Sequence, residues 1–440
     1  MDMSPTNIYP GLMPDLTSKL LPDLEQNRLP ELDLGPNSLY PSYLGQSILN
    51  IPSSITRVFD IPTLDSLPLR REILDQLTGP YRRVIFLLVD ALALGRVRTW
   101  LQEPEFAALN EMVSRGVMAP LTSIVPSTTC AALTTLWTGA SAAEHGILGY
   151  ELWLKEYGLV ANMITHSPFS FERKVGFLQY AGFVPEKFLS MPTLGSHLRA
   201  NGVNSYALQH HSILGSGLSS MYFMDVNRVG FHSPVDLWIT LRKLIEANPN
   251  EKAFYSIYWP DVDTMGHKYG PNDERVRAVF ASFVRNLADL FLDGLDSRFR
   301  RETLFVLAAD HGMVHTENDP HYDLRNHPNL ARRLHMQPTG ENRLAYLFVK
   351  PGQSEAVREY IEKTWPNQFL VLDSSYVRNS GLFGPGTSHP RMAERIGDLV
   401  VLAKGDAYWW WGEKDNPLVG RHGGLSPEDM LVPFLAAPLA

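Results

Sequence analysis

The chain has 440 residues, 44% hydrophobic and 20% charged, a composition that fits a globular protein and excludes long disorder and a coiled coil. Lys and Arg number 39 against 47 Asp and Glu, a net charge of −8, so no nucleic-acid surface is expected. The lone cysteine, Cys130, excludes a disulfide framework and a four-thiolate zinc site.

At the start, Met1-Asp2-Met3-Ser4-Pro5 shows neither the basic start nor the apolar run of a secretory signal. The most apolar window, Val84 to Leu94, is broken by Asp90 and too short to span a bilayer. A cytoplasmic protein without membrane contact is expected. The first 55 residues hold eight of the 32 prolines, and their leucines follow no sustained period. Residues 1–80 therefore read as an extended arm and lead-in packed on the body.

Beyond Pro80 the pattern changes. Val84 to Val89 is a continuous apolar run of strand length, as expected for a parallel strand covered on both faces. Tyr206 to Leu208, Phe254 to Tyr258, Leu304 to Ala308 and Leu399 to Ala403 read the same way. Between them lie helical patterns: Cys130 to Thr138 closed by Gly139, and Val276, Val279, Phe280, Phe283, Leu287 and Leu290 behind Asn272 as N-cap. Strands alternating with helices predict an α/β three-layer sandwich around a mostly parallel sheet. Residues 81–315 and 396–440 would form the core. Residues 316–395, with a strand–helix–strand pattern over Leu344 to Val349, Ser354 to Trp365 and Phe369 to Leu372, would be a small α+β cap.

In an open parallel sheet, ligands gather beyond the carboxyl ends of the strands. Asp90, Asp263 and Asp310 fall there. A single strand-terminal Asp is more often a cap or turn residue. Their neighbours are more informative. Asp263 and His267 stand four apart, able to grip one ion from a helix face; His311 adjoins Asp310, with Gly312 after it; His422 sits in the glycine-flanked loop Arg421-His422-Gly423-Gly424. Three aspartates and three histidines make a mixed oxygen/nitrogen set suited to zinc or manganese. In Pro126-Ser127-Thr128-Thr129, a hydroxyl at a helix N-terminus would meet unpaired amides and the positive end of the dipole, although on its own such a Thr129 is more often simply the N-cap. Trp409-Trp410-Trp411 could stack on a ring or fill the cap interface.

Taken in order, Val89-Asp90, Pro126-Ser127-Thr128-Thr129 with Thr138-Gly139 nine residues on, Glu144-His145-Gly146-Ile147, Asp263-Thr264-Met265-Gly266-His267, Asp310-His311-Gly312-Met313 and Arg421-His422-Gly423-Gly424 resemble the type I phosphodiesterase/nucleotide pyrophosphatase branch of the alkaline phosphatase superfamily. The resemblance covers about residues 82 to 435. It implies two divalent ions, usually zinc, one held by Asp90, Thr129, Asp310 and His311 and the other by Asp263, His267 and His422. It further implies hydrolysis of a small phosphorylated substrate, such as a nucleotide, through a phosphothreonine at Thr129. Asp261 competes with Asp263, but only Asp263 precedes the x-x-Gly-His pattern. Tyr150 stands where many of these enzymes carry an Asn toward a phosphate oxygen. Phosphomonoesterase, phosphonate hydrolase and phosphomutase are the alternatives within the superfamily; a metal-stabilised binding protein is the alternative outside it.

Overall fold

The computed structural model describes residues 15–30, 32–169 and 174–439. Seven strands form the main sheet: β1 (Arg83–Val89), β2 (Val117–Thr122), β3 (Asn204–His210), β4 (Asn227–Phe231), β5 (Ala253–Trp259), β6 (Thr303–Ala308) and β7 (Leu431–Pro438). Their spatial order is β2-β7-β6-β1-β5-β3-β4. All neighbouring pairs are parallel except the two that β7 makes. β1 lies at the centre and every one of its residues is buried, so helices cover both faces and a continuous apolar run was the right signal for it. The expected mostly parallel α/β architecture is present.

A second, smaller sheet is antiparallel throughout. Its order is Phe369–Asp373, Leu399–Ala403, Leu344–Leu347, Thr339–Glu341, Glu151–Leu154, Leu159–Asn162 and Ser167–Pro168. The run Leu399 to Ala403, read as a strand of the main sheet, belongs here. It too is buried on both faces. Val400 and Leu402 join the main core, whereas Leu399, Val401 and Ala403 join a second core with Leu347, Ile361, Trp365 and Trp409. A strand between two cores shows the same unbroken apolar run as one inside a parallel sheet. The strand–helix–strand elements expected in the cap are present, and the sheet containing them continues past residue 395 and takes in the hairpin at 151–162.

The N-terminal region is less extended than its prolines suggested. Thr17–Gln26 is a helix that buries Leu20 and Leu24, and Ile51–Val58 is a second helix. The chain between them runs over the body, where Leu39 N donates to Leu425 O and Tyr43 Oη to Leu382 O. The helix Glu274–Asn286 starts one residue later than expected: Asp273, not Asn272, caps it and accepts from Arg275 N. Among the described residues, no helix is long and apolar enough to cross a membrane.

Candidate active site

Asp90 follows the last residue of β1, and Asp310 lies two residues beyond the end of β6, so their backbones reach the same sheet edge. The chain turns sharply after Asp90: Ala91 has φ +59°, a left-handed conformation that costs a non-glycine residue roughly 1–2 kcal/mol. In this turn Ala91 N donates to Asp310 Oδ1 at 3.2 Å, and His311 N donates to the same oxygen at 3.0 Å. Gly312 is needed for close approach, because a Cβ there would lie 2.0 Å from Glu428 O. Asp263 and His267 share one face of the helix Asp261–Tyr269, which begins just beyond β5, and His267 Nε2 lies 3.2 Å from Asp263 Oδ1.

Thr129 is the first residue of the helix Thr129–Thr138. Thr128 occupies the N-cap position without a side-chain capping bond, so capping does not tie up the Thr129 hydroxyl. Thr129 Oγ1 instead lies 3.2 Å from His311 Nε2.

The tautomers follow from the partners. His311 Nδ1 is 2.9 Å from Gly312 O, His267 Nδ1 is 2.8 Å from Gly420 O, and His422 Nδ1 is 3.1 Å from Ser127 O. A carbonyl only accepts, so each Nδ1 carries hydrogen and each neutral imidazole presents its Nε2 lone pair. These lone pairs face carboxylates. His311 Nε2 is 3.4 Å from Asp90 Oδ1 and 3.5 Å from Asp310 Oδ2, and His422 Nε2 is 3.9 Å from Asp263 Oδ1. Asp90 Oδ1, Asp263 Oδ1 and Asp310 Oδ2 are all buried without a hydrogen-bond partner. Buried acceptors converging on acceptors are costly unless a cation lies between them.

Among the described residues, two groups have ligand atoms mutually within 4.8 Å: Asp90, Asp310 and His311, and Asp263, His267 and His422. The His311 and His422 rings stack at 3.8 Å between centroids, so the two groups adjoin. The donor set fits two divalent ions.

The ionisation of the protein alone reflects the same crowding. Burial, with Asp310 and Asp263 adding like charge, holds the Asp90 carboxyl well above its usual range, and burial raises Asp310 to about 7. Burial also opposes the charged forms of Asp263 and His267, but their mutual attraction wins. It lowers Asp263 and raises His267 to about 9. A proton on His267 thus takes the place of a cation at this group.

Residues 84–425 match the family described as type I phosphodiesterase/nucleotide pyrophosphatase. The chain belongs to that family. Human ectonucleotide pyrophosphatase/phosphodiesterase family member 5 is 21% identical over 167 residues, 38% of this chain and 33% of the human protein. Bovine bis(5'-adenosyl)-triphosphatase is 25% identical over 199 residues, 44% of this chain and 40% of the bovine one. The matches to these curated relatives thus span less than half of their length. Murine ectonucleotide pyrophosphatase/phosphodiesterase 5 superposes with a TM-score of 0.59 at 19% identity, covering 80% of this chain and 87% of the murine one. An inactive threonine-to-alanine variant of that protein has been solved in complex with AMP. Phosphonoacetate hydrolase from Sinorhizobium meliloti, solved with phosphonoacetate, also reaches 0.59 at 18% identity, covering 81% of this chain and 90% of that one.

In this family member, Thr129, Ile164 and Asp263 stand where two cavities meet. One, about 230 Å³, is mostly apolar, lined by Leu88, Leu133, Leu136, Trp137, Leu218, Tyr222 and Phe223 among others. The second, about 620 Å³, is also mostly apolar but brings in charged side chains, and is lined in part by Thr128, Tyr150, Glu341, Trp410, Trp411, Lys414 and Arg421. Of the tryptophan run, Trp409 and Trp411 pack in the second core, and Trp410 and Trp411 reach the cavity wall. His210 and His389 line neither cavity. Tyr150 Oη accepts from Asn162 Nδ2.

Two residues at the site carried no sequence motif. Tyr258, on β5, donates to Asp90 Oδ2. Glu341, at the end of a three-residue strand, accepts from Thr128 Oγ1 and Tyr150 N, and burial raises its pKa to about 7. Position next to Trp259 at the end of β5 was the signal available for Tyr258. None was available for Glu341.

Proposed function

We propose that this protein hydrolyses phosphate esters with Thr129 as nucleophile, holding one divalent ion by Asp90, Thr129, Asp310 and His311 and a second by Asp263, His267 and His422. The observation that carries the reading is the Thr129 hydroxyl, placed at a helix N-terminus beside a buried array of unpartnered carboxylate oxygens and imidazole lone pairs. The mixed oxygen/nitrogen donors suit zinc, with manganese as the alternative. Bound there, the ions would supply Lewis acidity and lower the pKa of the hydroxyl. That a threonine-to-alanine variant of the murine relative is inactive supports the assignment of a threonine to this role.

The chain's own groups then have separable tasks. The unpaired amides of the first turn of Thr129–Thr138 draw the phosphoryl oxygens toward Thr129. Thr129 Oγ forms a bond to phosphorus as the ester bond to the leaving alcohol breaks. Water then cleaves the phosphothreonine, releasing phosphate or its monoester and restoring the hydroxyl. Backbone carbonyls at Gly312, Gly420 and Ser127 fix the three imidazoles, so the site is organised before substrate arrives.

The two cavities favour a phosphodiester over a monoester. Phosphorus at Thr129 would have room for one apolar or aromatic substituent among Leu133, Leu136 and Trp137, and for a polar one toward Trp410 and Arg421. The test is a substrate panel on zinc-loaded protein: bis(4-nitrophenyl) phosphate, 4-nitrophenyl phosphate, phosphonoacetate and 4-nitrophenyl sulfate. The diester should be turned over fastest and the sulfate negligibly. Turnover of none of the four leaves a metal-stabilised binding protein as the better description, and preference for phosphonoacetate makes it a phosphonate hydrolase.

A further inference from the structure

Glu341 sits between the two loops that bring Thr129 and His422 to the site. Its Oε1 accepts from Thr128 Oγ1 at 2.6 Å and from Tyr150 N at 2.7 Å. Thr128 is the N-cap of the helix that Thr129 opens, so the first bond ties the carboxyl group to the nucleophile's own turn. On its other side, Gly423 has φ +104°, and a Cβ there would lie 2.6 Å from Glu341 Cβ. Only glycine lets the turn after His422 pack this closely. Neither hydrogen bond uses Oε2, and Glu341 lines the larger cavity together with Thr129.

Burial outweighs His311 and His267, which favour its charged form, and neither histidine is hydrogen-bonded to it. Arg421, in the same cavity wall, is spent elsewhere: Nη1 donates to Thr316 Oγ1, Nη2 to Asn416 Oδ1, and the guanidinium lies over the Tyr408 ring. Lys414 is exposed at the rim. Among the described residues, no ion pair to Glu341 is formed.

We propose that Glu341 sets the charge this site accepts, its fixed carboxyl group beside the nucleophile turn disfavouring the dianionic phosphoryl group of a monoester and admitting the monoanion of a diester. The inference rests on the phosphoester reading above. Its physical basis is that two like charges a few ångströms apart, away from bulk water, repel strongly enough to change selectivity on the order of tenfold or more. Glu341 also positions Thr128, and that second role has to be separated from the first.

The experiment compares Glu341→Gln, Glu341→Asp and wild type, all zinc-loaded, at about pH 8.5, where a carboxyl of pKa about 7 is ionised. The readout is the ratio of kcat/KM for 4-nitrophenyl phosphate to that for bis(4-nitrophenyl) phosphate. Glu341→Gln keeps an acceptor for Thr128 and loses the charge, so the ratio should rise about tenfold. Glu341→Asp keeps the charge and shortens the reach, so turnover should fall for both esters with the ratio unchanged. If Glu341→Gln yields no folded protein, Glu341→Ala removes the same charge and is read by the same ratio. A ratio within twofold of wild type in the charge-removing variant overturns the proposal. Calorimetric binding of inorganic phosphate against dimethyl phosphate gives the same comparison without turnover. A wild type that hydrolyses neither ester therefore defeats the phosphoester reading, while the binding ratio still decides the role of Glu341.

Discussion

Thr129 Oγ1 lies 3.2 Å from His311 Nε2, the nitrogen left without hydrogen because Nδ1 is bound to Gly312 O. A hydroxyl held against an acceptor lone pair, at the first position of a buried helix, is already oriented for attack. Thr129→Ala should leave the fold intact and lower diester turnover on the order of a thousandfold or more, because water would have to replace a placed nucleophile. Thr129→Ser should keep part of the activity, retaining the hydroxyl while losing the methyl that restricts χ1. Thr128→Ala should be milder. Steady-state rates with circular dichroism on the same samples decide it: equal activity of wild type and Thr129→Ala would rule out the covalent route.

Metal content gives a test independent of turnover. Elemental analysis of the wild type should find two divalent ions per chain, and Asp310→Ala or His422→Ala should lose ions from its own group. Tyr258→Phe removes the hydrogen bond to Asp90 Oδ2 and leaves every ligand in place. It should weaken metal affinity about 10–100-fold, the usual effect of losing a partner that orients a ligand. Undiminished affinity in Tyr258→Phe and Asp310→Ala together would remove the case for an ion at the β1–β6 edge.

The parts of the site that were readable in the sequence share a physical cause. An apolar run of strand length ending in Asp can place that carboxylate only at the strand's carboxyl end, as with Asp90 and Asp310. A four-residue spacing on a helix brought Asp263 and His267 together. Glu341 was invisible because nothing local marks a three-residue strand whose partners, Thr128 and Tyr150, lie about two hundred residues away. The run Leu399 to Ala403 was misplaced because unbroken burial is common to both sheets and hydropathy does not encode strand direction. The helix Thr17–Gln26 was missed because Pro22 interrupts it, and tertiary burial of Leu20 and Leu24 outweighs that local penalty.

Acid stability should be limited in part by two deeply buried histidines away from the metal ligands. His145 accepts from Ile147 N at Nδ1, so its hydrogen is on Nε2, 3.1 Å from Thr135 Oγ1, and burial lowers its pKa to about 3. His166 has no hydrogen-bond partner at either nitrogen, and burial lowers it to about 4. The unfolded chain takes up both protons near pH 6.5, and the folded chain does not until far lower pH. Between those values the unfolded state binds more protons, so stability is full above pH 6.5 and falls as pH drops. Each histidine adds a slope of up to about 1.4 kcal/mol per pH unit. Urea unfolding at pH 7, 6 and 5 measures the slope, and His145→Gln, which can accept and donate similarly, should flatten it by about that amount. An unchanged slope in this variant would mean that His145 is not held neutral.

The most consequential contact outside the ligands is the ion pair of Arg343 and Asp429, both fully buried, at 2.9 Å. Asp429 joins the two histidine loops: its backbone carbonyl accepts from Gly312 N, next to His311, and its Oδ2 accepts from Ser426 Oγ, just beyond the His422 loop. Arg343 also donates to Ala407 O, fixing the chain that leads into the tryptophan run. Arg343→Met would leave the Asp429 carboxylate buried without its partner, a loss of about 3–5 kcal/mol of stability. It should lower zinc occupancy as well, since both loops would lose their common support. Adding Asp429→Asn removes the stranded charge, so the double variant should be clearly more stable than the sum of the single losses predicts. Chemical unfolding of the four members of this cycle, with zinc content measured on each, makes the comparison. A single-variant loss below about 1 kcal/mol, with normal zinc, would show that Ser426 and Gly312 hold the loops without the pair.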